Sequence, residues 1–399
     1  MATHGSGASA ASGREGRLAL LVDVPAPYRI PVFNHLADQL GSRFRVFFMA
    51  RRDRGRRWEV RLDEAGFEYE FMRGIDLCGW SRGRFGCYLN PGVGRALRGF
   101  APRVVVVGSY SHPTAFLAAW RVRHLPSKLA LWCESTLHDA RRSSTLVERL
   151  KAWFIGRCDG FIVPGRASRE YLGAYGIGAE RIFLAPNAVD SDFFRNGAAA
   201  AQTAEARRQF RTAHGLPNFN VLFVGRLSPE KGFPVAVDVV GELQAQGSEV
   251  GLLVVGDGPM RHAYEQLVSE RRLRHVVFVG FVQQRELPFY YGQGDVLLVP
   301  SKSEPWGLVV NEAMACGVPV LCSTSVGAGY DLVTDGVTGY RCDTSEEYAA
   351  RIRELVSSPA LLTAMAGRCR EAIGAFSPAA CALGFLKLLD APSAPPRSH

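Results

Sequence analysis

The chain has 399 residues, 47% of them apolar and 21% charged, a makeup expected of a soluble globular protein long enough for two ordinary domains. Its net charge of +9 is uneven: through Asn187 there are 28 Lys and Arg against 16 Asp and Glu, and beyond it 19 against 22. The nine cysteines form no CxxC pair, which excludes a spacing-defined zinc site or disulfide framework and fits reduced, mostly buried thiols in the cytosol.

The opening residues 1–16 are small and polar without an apolar core segment, so a disordered tail is expected rather than a signal peptide. "LALLVDV" is too short to span a bilayer and no later run reaches that length, so at most a peripheral membrane contact is expected. Strands are predicted at Leu18–Val24, Arg45–Met49, Val104–Val107, Lys128–Trp132 and Gly160–Val163. Their apolarity is continuous rather than alternating, which implies a parallel sheet covered on both faces. Loops after these strands bring polar groups to one end. "VDVPAPYRIPVF" holds Tyr28 and Arg29 at a helix entry, and "GSYSHP" holds His112. "LWCESTLHDA" holds Cys133, Glu134 and His138. Glu134 is the acid with least packing reason to stand where it does, and His112 reads equally as structural or ligand-binding.

An Ala-rich polar stretch then interrupts the pattern, placing a domain boundary near 186–217. The expected organisation is one domain over 17–200, a second over 201–375, a helix over 376–391 returning to the first, and a tail over 392–399. The second half repeats the grammar, with strands predicted at Asn220–Val224, Gly251–Val255, Val276–Phe278, Val296–Val299 and Val320–Cys322. The fold class is therefore α/β, with two doubly wound domains facing across a cleft and ligands at the carboxyl ends of the strands.

The loops of the second half carry the chemistry. "GRLSPEKGF" sets Arg226 and Lys231 at a strand–loop–helix turn, where cations and helix N–H groups together suit a phosphate. Gly256 and Gly258 of "GDGP" make a tight turn that would let backbone approach a ligand, and Phe281 of "FVGF" repeats that position one unit later. "SEPWGLVVNE" places Glu304 on a loop after a buried strand. Gly307 and Leu308 open the next helix, and Glu312 lies in its first turns. Packing requires neither acid, and a charge in such apolar surroundings needs a partner. A carboxylate accepts hydrogen bonds from adjacent sugar hydroxyls, so the set suits a nucleoside-diphosphate sugar.

"GRLSPEKGF", "GDGP", "SEPWGLVVNEAMACGVPV" and "DGVTG" resemble the retaining glycosyltransferases of family 4, which have the GT-B fold. Glu-x7-Glu is the most specific mark, and the likeness covers roughly 217–345, with a looser one through "PAPYRIPVFNHLA" and "PNAVD". The resemblance implies that Arg226 and Lys231 bind the donor diphosphate, Glu304 the transferred sugar, Glu312 the ribose, and the N–H groups near Gly307 and Leu308 the distal phosphate. It also implies retention of configuration, front-face attack and no required metal, cofactor or enzyme nucleophile. On family usage the donor is expected to be a UDP-sugar, with a GDP-sugar the alternative. Many relatives carry a glycine pair after the first strand and a histidine on the loop that here holds Cys133 and Glu134. With the pair absent, Arg29 is expected to stand in at the phosphate.

The acceptor is expected to be a hydroxyl on a glycan, a lipid-linked intermediate or a natural product, and the basic first half would suit an anionic membrane surface. A sugar-nucleotide epimerase or glycan phosphorylase on the same fold is the nearest alternative, followed by a non-catalytic partner. A nucleic-acid binder is suggested by "RRDRGRRW" but lacks a recognition motif around it.

Overall fold

The computed structural model describes residues 16–53, 57–78, 86–138 and 145–392; apart from Gly16 and Pro392, the expected tails at 1–16 and 392–399 lie outside them. The first sheet has seven parallel strands in the order β3-β2-β1-β4-β5-β6-β7. They are β1 (Leu18–Val22), β2 (Phe44–Phe48), β3 (Glu68–Phe71), β4 (Val104–Val107), β5 (Lys128–Trp132), β6 (Gly160–Val163) and β7 (Ile182–Leu184). The second has six parallel strands in the order β10-β9-β8-β11-β12-β13. They are β8 (Phe219–Val224), β9 (Val250–Val255), β10 (Val276–Gly280), β11 (Val296–Val299), β12 (Val320–Cys322) and β13 (Gly339–Arg341).

Neighbouring residues of one strand enter opposite cores. Leu222, Leu253 and Leu297 pack on one face of the second sheet, whereas Val221, Leu252 and Val296 pack on the other. Both faces are covered, so the buried strands read as unbroken apolar runs. Strands β3, β7 and β13 escape sequence reading for the opposite reason. They are edge strands: "EYEF" of β3 is largely exposed and half polar, while β7 and β13 have three residues each, too short for a run to stand out.

Helices are labelled in chain order where they bear on the site. Helix α1 (Ile30–Leu40) buries Ile30, Phe33, Leu36 and Leu40, a spacing that gathers apolar side chains on one helical stripe. Helix α2 (Thr145–Arg157) and helix α3 (Arg166–Ala174) follow β5 and β6. Helix α4 (Ser191–Ala201) packs against α6 (Leu287–Gln293) and α7 (Leu308–Ala315). It therefore sits with the second sheet, not with the first as a limit at residue 200 expects: Phe194 and Ala198 bury into the core that holds Tyr291 and Val310. Helix α5 (Phe233–Ala245) follows β8.

The run Pro359–Asp390 is apolar and long enough, by composition, to cross a membrane, which the sequence reading overlooked. In the fold it is two helices, α8 (Pro359–Ala372) and α9 (Pro378–Asp390), broken around Phe376 and restarted by the Ser377 cap with Pro378 in the first turn. Helix α9 lies on α1 and the ends of β6 and β7. There it buries Cys381, Phe385, Leu388 and Leu389, each large apolar group contributing about 1.5–3 kcal/mol. Seven of the nine cysteines are buried.

Candidate functional site

The loops leaving β8 and β11 enclose a cleft of about 110 Å³ lined by Gly225, Lys231, Ser301, Glu304, Gly307 and Leu308 among others. Lys231 ends a short 3-10 turn, Pro229–Lys231, just before α5. Its ammonium forms an ion pair with Glu304, and the two side chains are 25% and 14% exposed. Partly withdrawn from water, each charge offsets the other's desolvation. The Glu304 backbone is pinned on both sides: its N–H donates to Ser325 O at 3.3 Å, and its carbonyl accepts from Gly327 N at 2.9 Å.

Helix α7 begins beside this pair. Gly307 has φ +97°, and a Cβ there would stand 3.0 Å from Glu304 Cγ, so glycine lets the helix start against the acid. No side chain caps it. Its first-turn N–H groups point out of the helix end, the arrangement that receives anions. Arg226 is half-buried nearby and enters no ion pair among the described residues. The positive character of this end is felt at Glu230. Burial raises its carboxyl, but the Ser228 hydroxyl and the charges of Lys231 and Arg226 together hold it below the usual range.

Glu312 lies one turn into α7, outside the lining of that cleft. It is buried, and the Tyr291 hydroxyl donates to its Oε2 at 2.7 Å. Burial pushes the Glu312 carboxyl up to about 7, against the lowering effect of the Tyr291 hydrogen bond. Tyr291 itself is raised well above the ordinary phenol, first by burial and then by the neighbouring acid.

The glycines of "GDGP" are also required by packing within the protein. A Cβ at Gly256, where φ is +143°, would stand 1.9 Å from Gly225 O, and one at Gly258 would stand 2.4 Å from Leu227 O. The close approach is between two loops of the protein, 225–227 and 256–258. Phe281, just past β10, is 43% exposed.

The first-domain residues fall into two groups. Arg29 is buried, lies 3.8 Å from Glu134 and 3.9 Å from Asp23, and stacks over Trp132 at 4.4 Å. Its expected phosphate role is thereby corrected: the guanidinium is enclosed, with Nε buried and unpaired. Glu134 also accepts from Asn187 Nδ2 at 3.1 Å; its contacts are with Arg29 and Asn187, not with Lys231. His112 is buried, accepting from Tyr88 N at 3.4 Å through Nδ1, and Cys133 is buried at the end of β5.

The second group joins the domains. His138 stacks on Tyr330 at 5.8 Å, with the Tyr330 hydroxyl 3.1 Å from its Nε2. At the start of α3, Arg166 N donates to Asp331 Oδ2 at 3.0 Å, and its guanidinium binds Tyr330 O. Arg57 pairs with Asp257 at 2.7 Å. Sequence reasoning missed Tyr291, Asn311, Trp306 and the Arg166–Asp331 pair: Tyr291 meets Glu312 from 21 residues away, Asn311 meets Asn187 from 124 and Arg166 meets Asp331 from 165, so no local spacing signals these contacts. Among the described residues, no group of three or more His, Cys, Asp or Glu side chains is gathered as a metal site.

Two Rossmann-like domains with their ligand loops at the carboxyl ends of facing parallel sheets define the GT-B fold, and Anabaena HepE in complex with UDP shares it. That structure matches with a TM-score of 0.73 at 19% identity, over 92% of this chain and 98% of the other. Residues 206–372 match the family model "Glycosyl transferases group 1", and residues 32–193 match "Glycosyltransferase Family 4". The chain belongs to this glycosyltransferase family. It is 36% identical over 199 residues to the 2-deoxystreptamine glucosyltransferase of Streptomyces kanamyceticus, covering 49% of this chain and 50% of the relative. It is also 32% identical over 212 residues to the GDP-mannose-dependent alpha-(1-6)-phosphatidylinositol monomannoside mannosyltransferase of Mycolicibacterium smegmatis, covering 50% and 53%. The matched segments thus span about half the length of these two relatives.

Proposed function

We propose that the protein transfers a sugar from a nucleoside-diphosphate donor to a hydroxyl acceptor with retention of configuration. The observation that carries this reading is the Lys231–Glu304 pair set against the uncapped start of α7. Lys231, Arg226 and the N–H groups at Gly307 and Leu308 would hold the diphosphate and stabilise its charge as it leaves. Glu304 would face the transferred sugar and Glu312 the ribose, with Gly256, Gly258 and Phe281 beside the nucleoside. The acceptor hydroxyl would attack from the leaving-group side and pass its proton to a phosphate oxygen, so the scheme uses no covalent enzyme intermediate and no metal. Glu134 is the acid that the first domain contributes near its own strand ends.

A UDP-sugar is the proposed donor, in keeping with the UDP held by HepE, and a GDP-sugar is the second choice, in keeping with the GDP-mannose-dependent relative. The proposed acceptor classes are a natural product, a glycan and a lipid-linked intermediate; the first and last echo the names of these two relatives. Cytoplasmic placement with peripheral contact at an anionic membrane face completes the reading. Calorimetry with UDP and GDP tests the donor half. Arg226→Ala and Lys231→Ala should each weaken the preferred diphosphate, since a charge-assisted contact is worth about 1.5–3 kcal/mol. Unchanged affinity in both folded variants would refute the assignment.

A further inference from the structure

Trp306 stands between Glu304 and Gly307, and it is buried. Its indole N–H donates to Asn311 Oδ1 at 2.9 Å, and Asn311 Nδ2 donates to the main-chain carbonyl of Asn187 at 2.9 Å. Asn311 is fully buried, and only a side chain with one donor end and one acceptor end satisfies both partners there. Asn187, itself buried in the linker between β7 and α4, donates from Nδ2 to Glu134 at 3.1 Å. Glu134 in turn faces Arg29, which rests on Trp132 at the end of β5. A continuous polar line thus runs from the first sheet, through the linker, to the residue that precedes the anion-receiving helix start. Buried polar groups are costly when unpaired, so such a line holds its members in one arrangement.

The same tryptophan also meets the first domain directly. A Cβ at Gly165, just before α3, would stand 2.7 Å from Trp306 Cζ3 and 2.2 Å from Asp331 Oδ2. The ring is seated against the first domain's backbone with no room for a side chain between them.

We infer that Asn187 is a positioning residue, which sets the α7 start and the Glu304 loop according to how the first domain is docked. It reaches them through Asn311 and Trp306 on one side and Glu134 on the other. This rests on the reading of the α7 start as the donor site, and it supplies what that reading leaves open: how an acceptor side and a donor side on separate domains are held in register. Group transfer needs reacting atoms about 3–3.5 Å apart, and a 1 Å misplacement costs about 10²-fold.

The test compares the full-length wild type with Asn187→Ala, Glu134→Ala and the double variant by hydrogen-exchange mass spectrometry, with UDP calorimetry alongside. Glu134 is one-third exposed, so its truncation leaves a folded protein even where Asn187→Ala does not. Each single variant should exchange about fivefold faster over 303–311, while β9 exchanges as in the wild type. The double variant should exceed neither single one appreciably, because either break opens the same line. Wild-type exchange over 303–311, equal acceleration in β9, or additive effects would overturn the inference. UDP affinity should stay within about threefold, because the proposed diphosphate ligands are all on the second domain. If UDP fails to bind even the wild type, the donor reading falls, and the exchange pattern alone still decides whether Asn187 joins the two domains.

Discussion

The Tyr291 hydroxyl donates to Glu312 Oε2 at 2.7 Å inside the second core, and the acid keeps a carboxyl pushed up to about 7 by burial. Ordinarily the group titrates near 4.5. A native value raised above the unfolded one means that, between them, the folded chain holds a proton the unfolded chain has lost. Stability should therefore fall as pH rises from about 4.5 to 7, by about 3 kcal/mol at most. Urea unfolding across that range should show the slope in the wild type and lose it in Glu312→Gln. Ribose hydroxyls would favour the ionised acid, so UDP binding near pH 6 should release a proton, read by calorimetry in buffers of different ionisation heat.

Because Lys231 is already paired with Glu304, the two acids of the motif should respond in opposite ways. Glu304→Gln frees the ammonium for a phosphate, so UDP affinity should hold or rise. Turnover, which needs the acid at the sugar, should drop about 10²-fold or more. Glu312→Gln should instead weaken UDP itself. Loss of UDP affinity in Glu304→Gln equal to that in Glu312→Gln would show the partners to be exchanged.

Gly256 is pressed against the backbone of the neighbouring loop. Its Cβ position lies 1.9 Å from Gly225 O at a φ of +143°, so Gly256→Ala must push the loops after β8 and β9 apart. A loss of about 2–4 kcal/mol is expected, measurable as a lowered unfolding midpoint in the absence of any nucleotide. A variant as stable as the wild type would return the glycine to a purely ligand-facing role.

Helix α2 exposes Leu146, Val147 and Leu150 beside Arg149, on the domain that carries the excess of Lys and Arg. Apolar side chains flanked by cations suit an anionic lipid surface. Sedimentation with phosphatidylglycerol vesicles should capture the protein at low salt and release it as screening grows. Leu146→Glu with Leu150→Glu should abolish capture; binding that survives both substitutions would rule this face out.

The sequence by itself determined the two parallel sheets, because strands buried on both faces must be apolar throughout and those runs are local. It also determined the start of α7 and the spacing of Glu304 and Glu312, since turn chemistry and helical register act within a few residues. Tertiary structure decided what those residues touch. Lys231 meets Glu304 across 73 residues, Tyr291 meets Glu312 across 21, and Asn311 meets Asn187 across 124. No periodicity or spacing encodes such pairs, which exist only once the sheets have brought their strand ends together. The same holds for Arg29, which looked free for a phosphate at a helix entry and is instead enclosed by Trp132 and Glu134. It holds also for α4, which is assigned to the second domain by the packing of Phe194 and Ala198 in the core around Tyr291.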